Sequence, residues 1–257
     1  MAWNPERYDQ FKKVRYQPFY DLAAFIQPKE KFTAIDLGCG TGEQTAILSH
    51  QFPGGHFTGI DASAEMLEKS KAFANKNLHF EQATTESVIN SDQKWDLIFS
   101  NAALQWSPDH EELFPKLISC IQPGGQLAIQ MPVQTENILN RILFDLVQEK
   151  PFSDYLKGYK RDSPVLSLDR YAQILFDNGI RDMQLLQKVY PIIAEDHKTL
   201  FDFISGTALL PYTERMDDEQ QLHFNRVFLK RIAAHFPKLP ALYAFKRILL
   251  YGVKTGE

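Results

Sequence analysis

Ala34-Ile35-Asp36-Leu37-Gly38-Cys39-Gly40-Thr41-Gly42-Glu43 is the stretch on which the fold turns. A short apolar run, Phe32 to Leu37, ends in glycines at every second position, and Thr45-Ala46-Ile47-Leu48 opens a helix just beyond. An apolar run of strand length that enters a glycine turn and then a helix is the pattern of a buried parallel strand. The carboxyl edge to which such a strand leads is where open α/β sheets bind small molecules.

The same rhythm extends outward from this turn. Upstream, the first thirty residues read as helical, with Pro18 in a first helical turn. Downstream, His56 to Ile60 reads as a second strand, and Ser63 caps a helix to about Ala74 with Glu65 in its first turn. Leu78 to Phe80 starts a third strand, Thr84 to Lys94 is loop or short helix, and Trp95 to Ser100 is a fourth strand. Ser107-Pro108-Asp109 opens a helix with Ser as the cap and Pro at the first position, running to about Cys120. Pro123-Gly124-Gly125 is a turn, and Gln126 to Met131 is a fifth strand stopped by Pro132. Alternating strands and helices predict right-handed βαβ units and a parallel sheet.

After Pro132 the rhythm changes. Asn137 to Gln148, Leu168 to Asn178, Asp196 to Ala208 and Asp217 to His235 read as helices, Met183 to Ile192 as a strand, and Lys246 to Lys254 as a last β-rich run. The expectation is an α/β chain with a Rossmann-like, doubly wound, seven-stranded, mostly parallel sheet and an inserted helical cap. Its expected divisions are an N-terminal helical lid (1–30), a ligand-binding core (31–132), a helical cap with one or two core elements (133–245) and a final sheet strand (246–257).

Composition narrows the function. The chain has 257 residues, 44% apolar and 23% charged, which is ordinary for a globular protein. The formal net charge of −4, with no block of Lys or Arg, argues against a nucleic-acid partner. No apolar run reaches the roughly 18 residues of a membrane span. The start MAWNPERYDQF lacks the features of a signal peptide. Two cysteines, Cys39 and Cys120, make no disulfide framework, and a reducing cytoplasm is expected. No metal site is expected, and the oligomeric state is left open.

The glycine loop selects its ligand by chemistry. A P-loop needs Lys followed by Ser or Thr after its last glycine, and here Glu43 and Gln44 follow Gly42. A dinucleotide fingerprint needs glycines at positions one, three and six. Gly38 and Gly40 satisfy two, but position six is Glu43, and Gly42 comes one residue early. Asp36, two residues before Gly38, repels a pyrophosphate and suits a cation. S-adenosylmethionine answers both points, since it has no phosphate and carries an ammonium and a sulfonium. Gly38, Cys39, Gly40 and Gly42 let the backbone approach it, with Cys39 a small residue that fits between glycines. Asp61, at the end of the second strand and 25 residues after Asp36, is placed to accept the ribose hydroxyl hydrogens. Ala62 and Met66 just beyond it join the candidate cofactor contacts.

A family is recognisable from these residues. Asp36-Leu-Gly-Cys-Gly-Thr-Gly42 resembles the first motif of the class I S-adenosylmethionine methyltransferases, and Gly59-Ile-Asp61 resembles their ribose-binding strand end. Ser100-Asn-Ala-Ala-Leu-Gln-Trp106, Pro108-Asp-His-Glu-Glu-Leu-Phe-Pro115 and Gly125-Gln-Leu-Ala-Ile-Gln-Met-Pro132 are similar to the trans-aconitate methyltransferases. The likeness runs from Trp3-Asn4-Pro5 to Ser205-Gly-Thr-Ala-Leu-Leu-Pro211. The malonyl-acyl-carrier-protein methyltransferases of biotin synthesis resemble the Leu-Gln-Trp segment too.

The resemblance implies O-methylation of a carboxylate of a small polycarboxylic acid to give a methyl ester, with S-adenosyl-L-methionine as donor. An acyl carrier protein is the alternative acceptor, and a non-catalytic S-adenosylmethionine-binding regulator is the alternative of another class. It also implies an adenine-contacting Asp after the third strand, where this chain has Thr84 or Thr85, with Glu86 near by. An Arg expected before the cap Pro is replaced by Leu210. No catalytic acid or base is assigned, because a carboxylate is already ionised at neutral pH.

Asn101 is a further candidate for the cofactor. Candidates for the acceptor are Gln105 as a donor, Trp106 as a pocket wall or a packing residue, and Met131 at the end of the fifth strand. Tyr8 and Arg15 join them in the N-terminal helices, which in relatives fold over the cofactor as a lid. Arg15 is either an anion ligand or a solvated charge. Arg141, Lys160, Arg161, Arg215 and Arg226 are unranked cap cations, and His110 reads as a surface or capping residue.

Overall fold

The computed structural model describes residues 16–256; Tyr8 and Arg15 lie outside the described residues. The chain divides into two compact units. Among the described residues, one holds 16–132, Pro164–Lys188 and 247–256; the other holds Val133–Ser163 and Val189–Lys246.

In the first unit a helix over 16–23 (α1) leads to strand β1 (Phe32–Leu37) and helix α2 (Glu43–Gln51). Strand β2 (Gly55–Asp61), helix α3 (Ala64–Ser70), strand β3 (Leu78–Gln82) and the short helix α4 (Thr85–Ile89) follow. Strand β4 (Trp95–Asn101) then precedes a 3-10 turn (Leu104–Trp106), helix α5 (His110–Ser119) and strand β5 (Ile121–Pro132). The seven-stranded sheet has the order β3-β2-β1-β4-β5-β7-β6, where β6 is Ile180–Ala194 and β7 is Ala241–Lys254. β1 pairs in parallel with β2 and β4, β2 with β3, and β4 with β5, whereas β7 runs antiparallel to β5. The expected doubly wound, mostly parallel sheet is the one observed.

Burial explains the pattern. Ala34 to Leu37 in β1 and Leu97 to Ser100 in β4 are all buried, as strands covered on both faces must be. On one face Phe19 and Leu22 of α1 pack with Phe32, Phe57, Leu97, Phe99, Ala128, Leu249 and Tyr251. Phe19 meets Phe99 edge-on at 5.9 Å between ring centroids, a preferred arrangement for aromatic pairs.

Two local expectations are corrected. The helix expected from Ser107 starts later: Asp109, with a left-handed backbone at φ 48°, is the N-cap, and its Oδ1 accepts from the Glu112 N–H at 3.2 Å. Pro108 therefore lies before the helix, and Pro115 lies inside it. Pro123-Gly124-Gly125 is not a turn between elements but part of β5, because Ile121 already pairs with Trp95 and the register shifts between Trp95 and Leu97. A bulge absorbs the glycines without ending the strand.

The remaining helix of this unit is α8 (Leu168–Asp177), capped by the Ser167 hydroxyl. In the second unit, α6 (Ile138–Gln148), α7 (Phe152–Tyr155), α9 (His197–Ser205), α10 (Leu210–Thr213) and α11 (Asp218–His235) pack on a core that includes Leu143, Phe152, Phe203, Phe224, Phe228 and Tyr243. Asp217 and Gln220 close a reciprocal capping box on α11. The Asn137 side chain brackets the β7 backbone, donating to Lys246 O at 3.0 Å and accepting from its N–H at 2.7 Å. A cavity of about 200 Å³ in this unit is lined by Thr135, Phe144, Gln148, Lys160 and Arg161 among others. Arg215 instead lies over the Tyr159 ring at 3.8 Å. Among the described residues no helix is long and apolar enough to cross a membrane.

Candidate active site

The glycine loop is tied to the neighbouring strand, since the N–H groups of Gly38 and Cys39 both donate to Ile60 O, at 2.9 and 2.8 Å. Two glycines do different work. At Gly38, φ is +74° and an added Cβ would stand 2.3 Å from the Ala103 Cβ, so the segment after β4 rests directly on the loop. At Gly40, φ is +56° and an added Cβ would meet nothing within 4 Å. The backbone there faces open space, the cradle that a closely approaching ligand requires.

Two carboxylates flank that cradle. Asp61 Oδ2 accepts from the Gly40 N–H at 2.9 Å and Oδ1 from the Ser63 N–H at 2.8 Å. Each oxygen keeps a lone pair for a hydroxyl donor. Ser63 meanwhile caps α3 through Met66 N, as expected. Asp36 is buried, and the Thr45 hydroxyl donates to its Oδ2 at 2.6 Å. Burial pushes the Asp36 carboxyl up to about 7; the Thr45 hydrogen bond pulls it down and the Asp61 charge raises it. A buried acid poised near neutrality gains its charge readily when a cation arrives. Burial, reinforced by Asp36 and Asp61, pushes the Cys39 thiol far up, so it stays protonated and serves as a small residue. Two acids, with no Lys or Arg paired to them among the described residues, and an open glycine backbone fit a cationic, phosphate-free cofactor such as S-adenosylmethionine.

The other predicted residues are placed as follows. The Thr84 hydroxyl caps α4 by accepting from Ser87 N at 3.3 Å, and Thr85 begins that helix. Gln82 Nε2 donates to Ala62 O at 3.1 Å and fixes the turn after β2, while Met66 is exposed. Asn101, at the end of β4, donates from Nδ2 to Gln44 Oε1 at 2.8 Å, and its own Oδ1 is buried without a partner. Gln105 is buried; its Nε2 donates to Ala102 O at 2.6 Å, and its Oε1 has no partner. Trp106 is 39% exposed, and Met131 is fully buried. Asp36, Gly38 to Gly42, Asp61, Asn101 and Gln105 thus belong to one sheet edge, while Met131 packs inside.

His110 is not a surface residue. It is buried, its Nδ1 lies 2.5 Å from the Tyr171 hydroxyl, and its Nε2 lies 2.9 Å from Leu104 O. A carbonyl only accepts, so Nε2 carries the proton and Nδ1 accepts from Tyr171. The Tyr171 oxygen in turn accepts from Leu166 N at 3.2 Å. Burial lowers the His110 pKa, so the ring is neutral and bound at both nitrogens, a clamp on the 3-10 turn. Ala102 and Asp109, both non-glycine residues with positive φ, bracket this segment. Such backbone concentrates at functional sites.

Sequence reading also missed Gln44, Gln130 and Arg247. Gln130 is fully buried, and Arg247 Nη1 donates to its Oε1 at 2.6 Å. Their signal is a polar side chain inside an otherwise apolar strand. Among the described residues no group of three or more His, Cys, Asp or Glu is arranged to hold a metal.

Comparison with known proteins places this geometry. Residues 28–188 match a family described as a methyltransferase domain. The chain is 40% identical over 260 residues to a trans-aconitate 2-methyltransferase of Deinococcus radiodurans, covering 99% of each chain. It is 30% identical to a trans-aconitate 2-methyltransferase of Variovorax paradoxus over the full length of both. The crystal structure of the YcgJ protein from Bacillus subtilis superposes with a TM-score of 0.63 at 18% identity, covering 94% of this chain and all of that one. The chain therefore belongs to the methyltransferase-domain family and, within it, to the sequence family of the trans-aconitate 2-methyltransferases.

Proposed function

We propose that this chain is an S-adenosyl-L-methionine-dependent O-methyltransferase that esterifies one carboxylate of a small polycarboxylic acid, trans-aconitate among them. One observation carries the choice of acceptor. On the edge that holds Gly38 the described residues include two buried donors, the Gln130 Nε2 amide and the Arg247 guanidinium, and a histidine, His110, committed to Tyr171 and Leu104. Amine and alcohol acceptors arrive protonated and need a base; a carboxylate arrives ionised. The names of the full-length relatives support the same choice.

S-adenosyl-L-methionine supplies, when bound, a methyl group on a sulfonium whose departure leaves a neutral thioether. The chain's part is positioning. Asp36 favours the cationic end of the cofactor, Asp61 accepts from its ribose, and the Gly40 backbone admits it. The clamped segment from Ala102 to Asp109 holds Gln105 beside the acceptor. Bound there, the cofactor would supply its methyl group to the carboxylate oxygen so held, the sulfonium sulfur leaving as a neutral thioether. Orientation of this kind is worth roughly 7–11 kcal/mol of barrier.

The test is methyl transfer from labelled cofactor to a panel of polycarboxylates and to a malonyl-acyl carrier protein. Transfer to trans-aconitate or a close relative supports the reading. Transfer to the carrier protein alone replaces it, and cofactor binding with no transfer to any acceptor points to a regulator.

A further inference from the structure

On one face of the sheet the residues are apolar for most of their length: Leu97 and Phe99 on β4, Ala128 on β5, Leu249 and Tyr251 on β7. At the carboxyl edge the same face turns polar. Asp36 pairs in register with Phe99, Asn101 with Gln130, and Arg247 with Pro132. Residues two apart on a strand share a face, so Asp36, Asn101, Gln130 and Arg247 lie on one face and form a diagonal across β1, β4, β5 and β7, with Asn101 and Gln130 two residues beyond the level of Asp36 and Arg247 two residues further again. The diagonal has an acid at one end and a cation at the other, three strand spacings (about 14 Å) apart across the sheet and four residues (about 13 Å) apart along it.

β5 supplies an internal control, because it carries two glutamines on this face. Gln126 is fully used: its Oε1 accepts from the Tyr251 hydroxyl at 2.8 Å and from Gln27 N at 2.7 Å, and its Nε2 donates to Gln27 O at 2.9 Å. Gln130 accepts from Arg247 through Oε1, but its Nε2 is buried with no partner. A buried donor left unmatched costs stability, and native proteins keep few of them. Arg247 is only 7% exposed. A buried guanidinium with an amide donor at its side is a donor set for a carboxylate, which a guanidinium fork grips with directional bonds.

We propose that Arg247 and the Gln130 amide bind a carboxylate of the acceptor other than the one methylated. The assignment rests on the polycarboxylate reading above. It divides the sheet edge by charge. The β1 end takes the cationic cofactor, the β7 end takes the anionic far end of the acceptor, and the carboxylate to be methylated is held between them, near Asn101. The site thereby selects di- and tricarboxylates over monocarboxylates of the same size.

The experiment measures acceptor KM, kcat and cofactor Kd for wild type, Arg247→Lys, Arg247→Gln and Gln130→Leu, with trans-aconitate and a matched monocarboxylate. The expected KM for trans-aconitate rises about tenfold in Arg247→Lys and about a hundredfold in Arg247→Gln, the scale of one to two charge-assisted bonds. The cofactor Kd stays unchanged, and the preference for the polycarboxylate over the monocarboxylate collapses. Should Arg247→Gln fail to fold, Arg247→Lys and Gln130→Leu carry the same comparison. Unchanged KM in the folded variants overturns the assignment, as does equal weakening of cofactor and acceptor. A wild-type enzyme that methylates no polycarboxylate removes the functional reading itself, and this assignment falls with it.

Discussion

Replacing Thr45 by Val tests the electrostatic core of the cofactor site. The Thr45 hydroxyl is the hydrogen-bond donor that holds the Asp36 carboxyl down, 2.6 Å from Oδ2, while burial and Asp61 hold it up, the balance lying at about 7. A hydrogen bond to a charged group contributes about 1.5–3 kcal/mol, and each pH unit corresponds to about 1.4 kcal/mol. Thr45→Val therefore moves the Asp36 titration up by about one to two pH units. At pH 7 the ionised fraction falls from about one half to about 1–10%, so cofactor affinity drops about 5- to 50-fold. Calorimetric titration with S-adenosylmethionine from pH 6 to 9 reads both profiles. The variant is expected to recover most of its affinity by pH 9, and Thr45→Ser to follow the wild type. A deficit that stays constant across the range, or a profile superimposable on the wild type, refutes the reasoning. The folding sign runs the other way. An acid whose folded pKa is raised contributes stability present below its unfolded value and lost as pH rises through about 7. Asp36→Asn should abolish that loss of apo-protein stability between pH 4 and 7.

Four further outcomes follow from the same geometry. Gly38→Ala drives a Cβ into Ala103 and is expected to lower stability by about 3 kcal/mol in urea unfolding. Gly40→Ala costs only the left-handed backbone, about 1 kcal/mol, yet fills the cradle and weakens cofactor binding at least about tenfold; equal effects on fold and binding would contradict the cradle. Tyr171→Phe leaves the His110 Nδ1 buried without a donor and should cost about 1–3 kcal/mol. It should also raise acceptor KM more than cofactor Kd, because the clamp holds the segment that carries Gln105. His110 itself, with its pKa lowered by burial, contributes stability that is full above the unfolded value of 6.5 and lost as pH falls below it. The stability difference between wild type and His110→Asn, followed by thermal unfolding from pH 8 to 5, should therefore shrink toward acid; a flat difference would mean that His110 is not held neutral.

The glycine loop and the alternation around it were readable because their causes are local. A strand buried on both faces shows as a solid apolar run, and Gly38 shows as glycine because Ala103 leaves no room for a Cβ. The start of α5 was misjudged because Ser-Pro-Asp satisfies the usual capping pattern two residues early. Only the backbone reveals that Asp109 takes a left-handed conformation and becomes the cap itself. The span of β5 was misjudged for the opposite reason. Pro123-Gly124-Gly125 reads as a turn in isolation, and the pairing of Ile121 with Trp95, a long-range contact, makes it strand.

The candidate site divides along the same line. Asp36 near the end of β1 and Asp61 at the end of β2 stand beside the glycine loop, so their place in the sequence is enough to raise them as candidates. His110 had a local signal that residue type concealed: with Leu113, Phe114 and Leu117 it forms an i, i+3, i+4, i+7 stripe, all of it buried. A histidine on an apolar stripe should be asked for its partners, and here they are Tyr171 and Leu104, one of them 61 residues away. Arg247 and Gln130, 117 residues apart, meet only because β7 returns antiparallel beside β5. Each alone is a polar residue in an apolar strand, a pattern equally consistent with an edge strand facing water. Pairing across the sheet turns two unremarkable positions into a buried cation and its amide neighbour. This is why the glycine-loop half of the edge is written in one contiguous segment, while the proposed anion-binding half is assembled from two strands whose paired residues stand 117 apart in the chain.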